Sequence, residues 1–214
     1  MTSTEPIGDF FDRECCTAVD AGASALPGSA GVTAVLLGGL AEAGIQGMRV
    51  LELGSGAGAL SRELIGRGAA SVTGIDLSPM SVEHATKEAH SAGLAERLSY
   101  RVGDGAEVSL DAYDVVVSQK VFCCYPQPGR LLDNTLPAAG QVYALVLPES
   151  RGLVGAFARV VVAIENALQW LRRERFRAYV HDVEGIERRL VAAGFELRVA
   201  RRHWTWLVLV FARR

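Results

Sequence analysis

Glu52, Gly54, Gly56 and Gly58, with Asp76 standing 22 positions after Gly54, are the residues of this chain whose types and spacing point most directly to chemistry. They belong to Val50-Leu51-Glu52-Leu53-Gly54-Ser55-Gly56-Ala57-Gly58 and to Gly74-Ile75-Asp76-Leu77. A side chain at any of the three glycines would hold a ligand away from the backbone, so the run predicts close approach of a bound molecule. An acid at the end of the next strand can accept hydrogen bonds from both hydroxyls of a ribose. Together they predict a nucleoside-containing cofactor. The elements that must position them are legible too. Val50, Leu51 and Leu53 read as a buried strand, the glycines turn the chain into a helix over Ala59–Gly66, and a second strand, Ser71–Ile75, delivers Asp76.

Two cofactor classes fit this spacing. Gly54-x-Gly56-x-x-Ala59 satisfies the relaxed dinucleotide fingerprint, which keeps an NAD(P)-dependent reductase open. A pyrophosphate, however, sits on a helix N-terminus, where further negative charge is unfavourable. Glu52 stands two residues before Gly54, and a carboxylate there suits a cationic ligand. S-adenosylmethionine carries a sulfonium and an ammonium group and no phosphate.

Glu52–Gly58 resembles the first motif of the class I S-adenosylmethionine-dependent methyltransferases, E/D-x-G-x-G-x-G. The resemblance implies that Glu52, Gly54, Ser55, Gly56 and Gly58 hold the methionine part and that Asp76, with Leu77, holds the ribose. In Val102-Gly103-Asp104-Gly105-Ala106, after a strand over Leu98–Val102, it implies that Asp104 meets the adenine amino group with Gly105 and Ala106 beside the ring. The strand Tyr113–Val117 ends in Ser118-Gln119-Lys120, where the resemblance implies that Ser118 lies near the methionine part and the methyl group. Gln141–Leu147 reads as a fifth strand, and Glu196–Arg201 with Thr205–Ala212 as the last two. The implied fold is α/β: a Rossmann-like, doubly wound, seven-stranded mixed sheet with a terminal antiparallel hairpin, an N-terminal helical lid and a helical insertion after strand five. One domain is expected, with the lid and its loop in 1–31, the cofactor core in 45–150, the insertion in 151–177 and the last helix and strands in 178–214. The implied activity is methyl transfer to a small organic acceptor on oxygen or nitrogen by in-line displacement; a non-catalytic S-adenosylmethionine-binding module stays open beside it.

Composition narrows the class. A chain of 214 residues, half of them apolar, supplies one core. Met1–Asp12 carries three acids and no basic region ahead of an apolar one, so no secretory signal is expected. No uninterrupted apolar run reaches the roughly 18–20 residues of a membrane span. The expected location is cytoplasmic. The cysteines stand as Cys15-Cys16 and Cys123-Cys124, neither a disulfide framework nor a C-x₂-C zinc spacing, and no metal is expected. If the lid closed over the sheet, the four thiols would meet at the mouth of the site, an arrangement open to a soft metal or metalloid. Residues 1–150 hold 9 Lys+Arg against 18 Asp+Glu, whereas 151–214 hold 13 Arg against 6 acids. The basic half lacks interleaved stacking aromatics, so no nucleic acid is expected as partner.

The lid and insertion should shape the acceptor side. In Ile7–Cys16, Phe10 or Phe11 is placed to cover the sulfonium by cation–π contact, or else simply to pack the lid down. Ala21–Gly31, rich in small residues and proline, reads as a flexible loop before a helix over Val32–Ala43. Leu153, Phe157, Val160, Val161, Ile164, Ala167, Leu168 and Leu171 recur at helical spacing within Arg151–Arg177 and are expected in the core. The alternative is an apolar helix with Arg172, Arg173, Arg175 and Arg177 behind it, resting on a membrane surface. Tyr125 and His181 are the candidate catalytic residues, to orient an acceptor oxygen and to act as base. His84 and His90 read as surface residues, and His203 as part of the terminal hairpin. Val121–Pro126 and Phe176–His181 resemble bacterial methyltransferases with Cys-Cys-Tyr-Pro after strand four, distantly similar to magnesium-protoporphyrin O-methyltransferases. That likeness implies fold and cofactor, not a porphyrin acceptor.

Overall fold

A computed structural model describes residues 4–20 and 30–214, the side chains of 16–20 excepted. The strands are β1 (Arg49–Leu53), β2 (Ser71–Asp76), β3 (Leu98–Val102), β4 (Tyr113–Gln119), β5 (Ala139–Pro148), β6 (Phe195–His203) and β7 (Trp206–Arg213). They form one sheet in the order β3-β2-β1-β4-β5-β7-β6. β1 to β5 run parallel, and β7 enters antiparallel between β5 and β6. The expected seven-stranded sheet with its terminal hairpin is therefore the observed one.

Strands buried on both faces need apolar residues throughout, which Val115-Val116-Val117 and Val142–Leu147 supply. Alternation sends Leu51, Leu53, Ile75 and Val116 into one core layer and Val50, Val72, Val115 and Val117 into the other. The helices covering these layers are α1 (Glu5–Asp20), α2 (Ala30–Ala43), α3 (Ala59–Gly66), α4 (Pro79–Ser91), α5 (Pro128–Thr135), α6 (Gly152–Leu171) and α7 (Val183–Ala192). Ser78 caps α4, its Oγ accepting from the Ser81 N–H at 3.0 Å. The strand order reverses between β1 and β4, and ligands of such sheets bind beyond the carboxyl ends at that point. Leu53 is level with Ile75 on one side and Ser118 on the other, so Gly54, Asp76 and Gln119 all emerge there.

Two expectations are corrected. The insertion helix ends at Leu171, because Arg173 adopts φ 60 and closes the helix: its N–H bonds the Trp170 carbonyl at 3.0 Å and the Glu174 N–H bonds Gln169 at 2.9 Å. Its apolar stripe is also not core. Only Gly155 and Ala158 of α6 are buried, whereas Leu153 is 90% and Phe157 60% exposed. By length and composition α6 is long and apolar enough to cross a membrane. The loop expected at Ala21–Gly31 falls largely outside the described residues.

Gly155 holds α6 against the domain. A Cβ there would lie 2.1 Å from the Ser150 carbonyl carbon, a backbone atom that cannot step aside. Gly155→Ala is expected to cost about 1–3 kcal/mol, or roughly 2–12 °C of Tm at this chain length. Gly66→Ala, where an added Cβ meets nothing within 4 Å, should leave the melt unchanged or raise it.

Candidate functional site

The glycine turn after β1 has the strained geometry that its composition anticipated. Gly54, Gly56 and Gly58 have φ of 65, 50 and 75. A Cβ at Gly54 would lie 2.4 Å from Val121 Cγ2, and one at Gly58 2.5 Å from Tyr100 Oη, whereas Gly56 has open space beside it. The first and third glycines are thus fixed by packing, and the second by backbone conformation and close approach from outside.

Asp76 closes this turn. Its Oδ2 accepts from the Gly56 N–H at 2.7 Å and its Oδ1 from the Ser78 N–H at 2.9 Å. Burial nonetheless raises its pKa, with Asp12 nearby adding to the rise against those two bonds. Glu52 points to the face opposite Leu51 and Leu53, where its Oε2 accepts from Ser61 Oγ. Burial pushes Glu52 up to about 8; the Ser61 bond lowers it, Asp76 raises it and Arg62 lowers it. Asp104 is held at three points: Thr4 Oγ1 donates to Oδ2 at 3.0 Å, and Tyr125 Oη at 3.0 Å and the Ala106 N–H at 2.8 Å donate to Oδ1.

These groups surround a cavity of about 680 Å³, within the range of small-molecule and cofactor sites. Glu52, Gly54, Ser55, Gly56, Asp76 and Leu77 line it from the sheet side. Gly105 and Tyr125 line it beside them, and Phe11 lines it from α1. Gly58, Asp104, Ala106, Ser118 and His181 are not part of the lining. Among the described residues, Ser55 Oγ and Ser118 Oγ are buried without a hydrogen-bond partner, so polar capacity is left over at the turn and at the end of β4.

The comparisons with known proteins agree with this geometry. Residues 50–137 match a family model described as a methyltransferase domain. The ubiquinone biosynthesis O-methyltransferase of Azorhizobium caulinodans is 30% identical over 72% of this chain and 60% of its own length. That of Psychrobacter cryohalolentis is 34% identical over 62% of this chain and 52% of its own. The chain thus spans a little over half the length of these curated relatives. In fold it is similar to a magnesium protoporphyrin IX methyltransferase from Synechocystis solved with bound S-adenosylhomocysteine, at TM-score 0.75 and 20% identity, covering 99% of this chain and 100% of that one. The chain carries a class I methyltransferase domain.

Helix α1 packs against this methyltransferase domain, with Ile7 and Phe11 on the cavity. Asp12 Oδ1 accepts from Ser78 Oγ at 2.5 Å and from the Met80 N–H at 3.1 Å, which fixes α1 to the start of α4. Phe10 stacks on Phe176 at 4.4 Å, and Phe11 meets both rings edge-on. Phe10 is therefore a packing residue, and Phe11 alone of the pair reaches the cavity.

The two candidate catalytic side chains are placed differently from a simple base and its helper. His181 Nε2 lies 3.0 Å from the Phe122 carbonyl and 2.8 Å from the Tyr125 carbonyl. Carbonyls only accept, so this nitrogen keeps its proton, and burial lowers the ring's pKa. His181 stacks on Tyr179 and clamps the short helical turn Phe122–Cys124 from behind the cavity. Tyr125 spends its proton on Asp104, and burial, then the Asp104 carboxylate, pushes its phenol up.

The structure adds residues that the sequence did not single out. Thr33, Ala34 and Leu37 of α2 form the far wall, tied in by Gln119 Nε2 donating to Thr33 Oγ1 at 2.7 Å. His84, expected at the surface, is half-buried and lines the cavity. Lys120 takes φ 60, and its Nζ sits 4.8 Å over the Trp206 ring, where burial lowers its pKa. No periodicity announces a non-glycine residue at positive φ, nor a helix wall contributed from 80 residues upstream. Cys15 and Cys124 line the same cavity and Cys123 Sγ lies 3.9 Å from Cys124 Sγ. Among the described residues, no three metal-ligating side chains gather; the Cys16 side chain lies outside them.

Proposed function

We propose that this protein transfers a methyl group from S-adenosylmethionine to a small organic acceptor, on oxygen or nitrogen. The observation that carries the reading is Asp76, held by the Gly56 and Ser78 N–H groups at the open side of the glycine turn. Its carboxylate supports a ribose diol there. Glu52 supplies a buried anion for the cationic methionine end, and Asp104, bonded by Thr4, Tyr125 and Ala106 behind the lining, sets the Gly105 loop on the cavity for an adenine ring. When bound, S-adenosylmethionine supplies an electrophilic methyl carbon already activated by its sulfonium.

The chain's own work is then alignment and exclusion of water. The lid α1, with Ile7 and Phe11 on the cavity, closes one side. Phe122–Tyr125, clamped by His181, holds the wall beside the acceptor space. A positioning role for His181 and Tyr125 follows from their bonds, and a carboxylate acceptor needs no general base. The O-methyltransferase names of the curated relatives support oxygen as the accepting atom. The free thiols of Cys15, Cys123 and Cys124 support a reducing, cytoplasmic setting.

The test is calorimetric titration with S-adenosylmethionine, S-adenosylhomocysteine and NADH in parallel. Heat from both adenosyl compounds and none from NADH is expected. Binding of NADH alone would reassign Asp76 to a nicotinamide ribose and end the methyltransferase reading.

A further inference from the structure

Helix α6 is 20 residues long, about 30 Å at 1.5 Å per residue. Leu153, Phe157, Val160, Ile164, Leu168 and Leu171 recur at three- and four-residue steps and fall on one stripe, and every one of them is exposed. Stripes of this length are rarely left to water. The opposite face is committed to the domain: Gly155 and Ala158 are buried, and Asn166 exchanges two 2.8 Å bonds with the Ala178 backbone, donating through Nδ2 and accepting through Oδ1. Arg159 and Glu165 also interrupt its apolar composition. A helix fixed along one side is built to lie on a surface rather than to cross one.

Charge decides which surface. Arg159, Arg172, Arg173 and Arg175 are exposed, and among the described residues no carboxylate pairs with any of them. Glu165 is the sole acid within α6. A second copy packed on the stripe would bring its own arginines to this face and add positive charge, whereas anionic lipid headgroups neutralise it. Trp170, 69% exposed beside the arginines, has the amphipathic ring that favours a membrane–water boundary.

We propose that α6 is an interfacial helix that docks the protein on an anionic lipid bilayer, with its apolar stripe in the acyl boundary and its C-terminal arginines among the headgroups. The chain leaving α6 runs directly to the lid: Glu174 pairs with Arg13 at 2.5 Å, and Phe176 stacks on Phe10. A docked α6 therefore sits two contacts from the cavity, on the side where a lipophilic acceptor would arrive.

The test is co-sedimentation of the full chain with phosphatidylcholine vesicles, with and without phosphatidylglycerol. Binding to the anionic vesicles should exceed binding to the neutral ones by at least about tenfold. Changing Arg172, Arg173 and Arg175 together to Gln should weaken anionic binding by on the order of 100-fold. Phe157→Glu with Ile164→Glu should abolish it. Both variants should keep the parent's melt and S-adenosylmethionine affinity, since α6 does not line the cavity. Independently of any folding effect, brominated lipids should quench the parent's fluorescence, and Trp170→Phe should remove that quenching. Absence of vesicle binding, or equal binding by the double-glutamate variant, would overturn the proposal. So would a dimer that Ile164→Glu dissociates, because a second copy would then cover the stripe.

Discussion

Asp76→Ala is expected to weaken S-adenosylmethionine binding by roughly 30- to 1000-fold, from about 1–2 kcal/mol for each of two hydrogen bonds to a charged group. The size of the effect comes from position. Asp76 is buried, and both oxygens already organise the turn through Gly56 and Ser78. Removing the carboxylate deletes the ribose acceptors and frees the Gly56 N–H, so the turn loses its preorganisation along with its ligand bonds. Asp76→Asn, which keeps one acceptor, should fall between parent and alanine variant. Calorimetry beside a thermal melt separates the effects. An alanine variant that folds and binds like the parent would show that the ribose lies elsewhere.

Glu52→Gln should move stability and binding in opposite directions. Burial lifts Glu52 from the 4.5 of an ordinary glutamate to about 8. A carboxyl whose pKa is raised on folding holds its proton more tightly in the native state, so its contribution is complete below pH 4.5 and is lost as pH rises through 8. Between pH 6 and 8 the ligand-free parent should lose about 2 kcal/mol relative to Glu52→Gln, roughly 4–8 °C of Tm. The amide has no charge to bury and should melt with a flatter pH dependence. A cationic ligand reverses the preference by favouring the ionised carboxylate. Binding to the parent near pH 7 should therefore release a proton, visible as a binding enthalpy that changes with the buffer's ionisation enthalpy, and Glu52→Gln should bind more weakly without that release. Parallel parent and variant melts across this range would show that Glu52 does not carry a raised pKa.

The strands and the glycine turn were legible because their causes are local. Val50, Leu51, Leu53 and Val115–Val117 must be apolar to survive burial, and Gly54, Gly56 and Gly58 are glycines that hold φ between 50 and 75. Such requirements are written into residue type and spacing, and the helix Ala59–Gly66 is observed with the bounds the sequence predicts. Asp76 follows from the same logic, since a strand of fixed length delivers its last residue to the same edge as the turn.

Other features depended on contacts between distant segments. Periodicity showed that α6 has an apolar stripe but not which way it faces; Gly155 against Ser150 and Asn166 against Ala178 turn it outward. Residue type made His181 a candidate base, and the carbonyls of Phe122 and Tyr125, nearly 60 residues away in sequence, turned it into a clamp. Thr33 and His84 reached the cavity through the packing of α2 and α4. Residue type and spacing alone set the strands, the turn and the position of Asp76, because each rests on backbone geometry within a few residues. The contacts of α1, the upward push of burial on the Glu52 pKa and the outward face of α6 came from the assembled fold, because burial and hydrogen-bond partners exist only there.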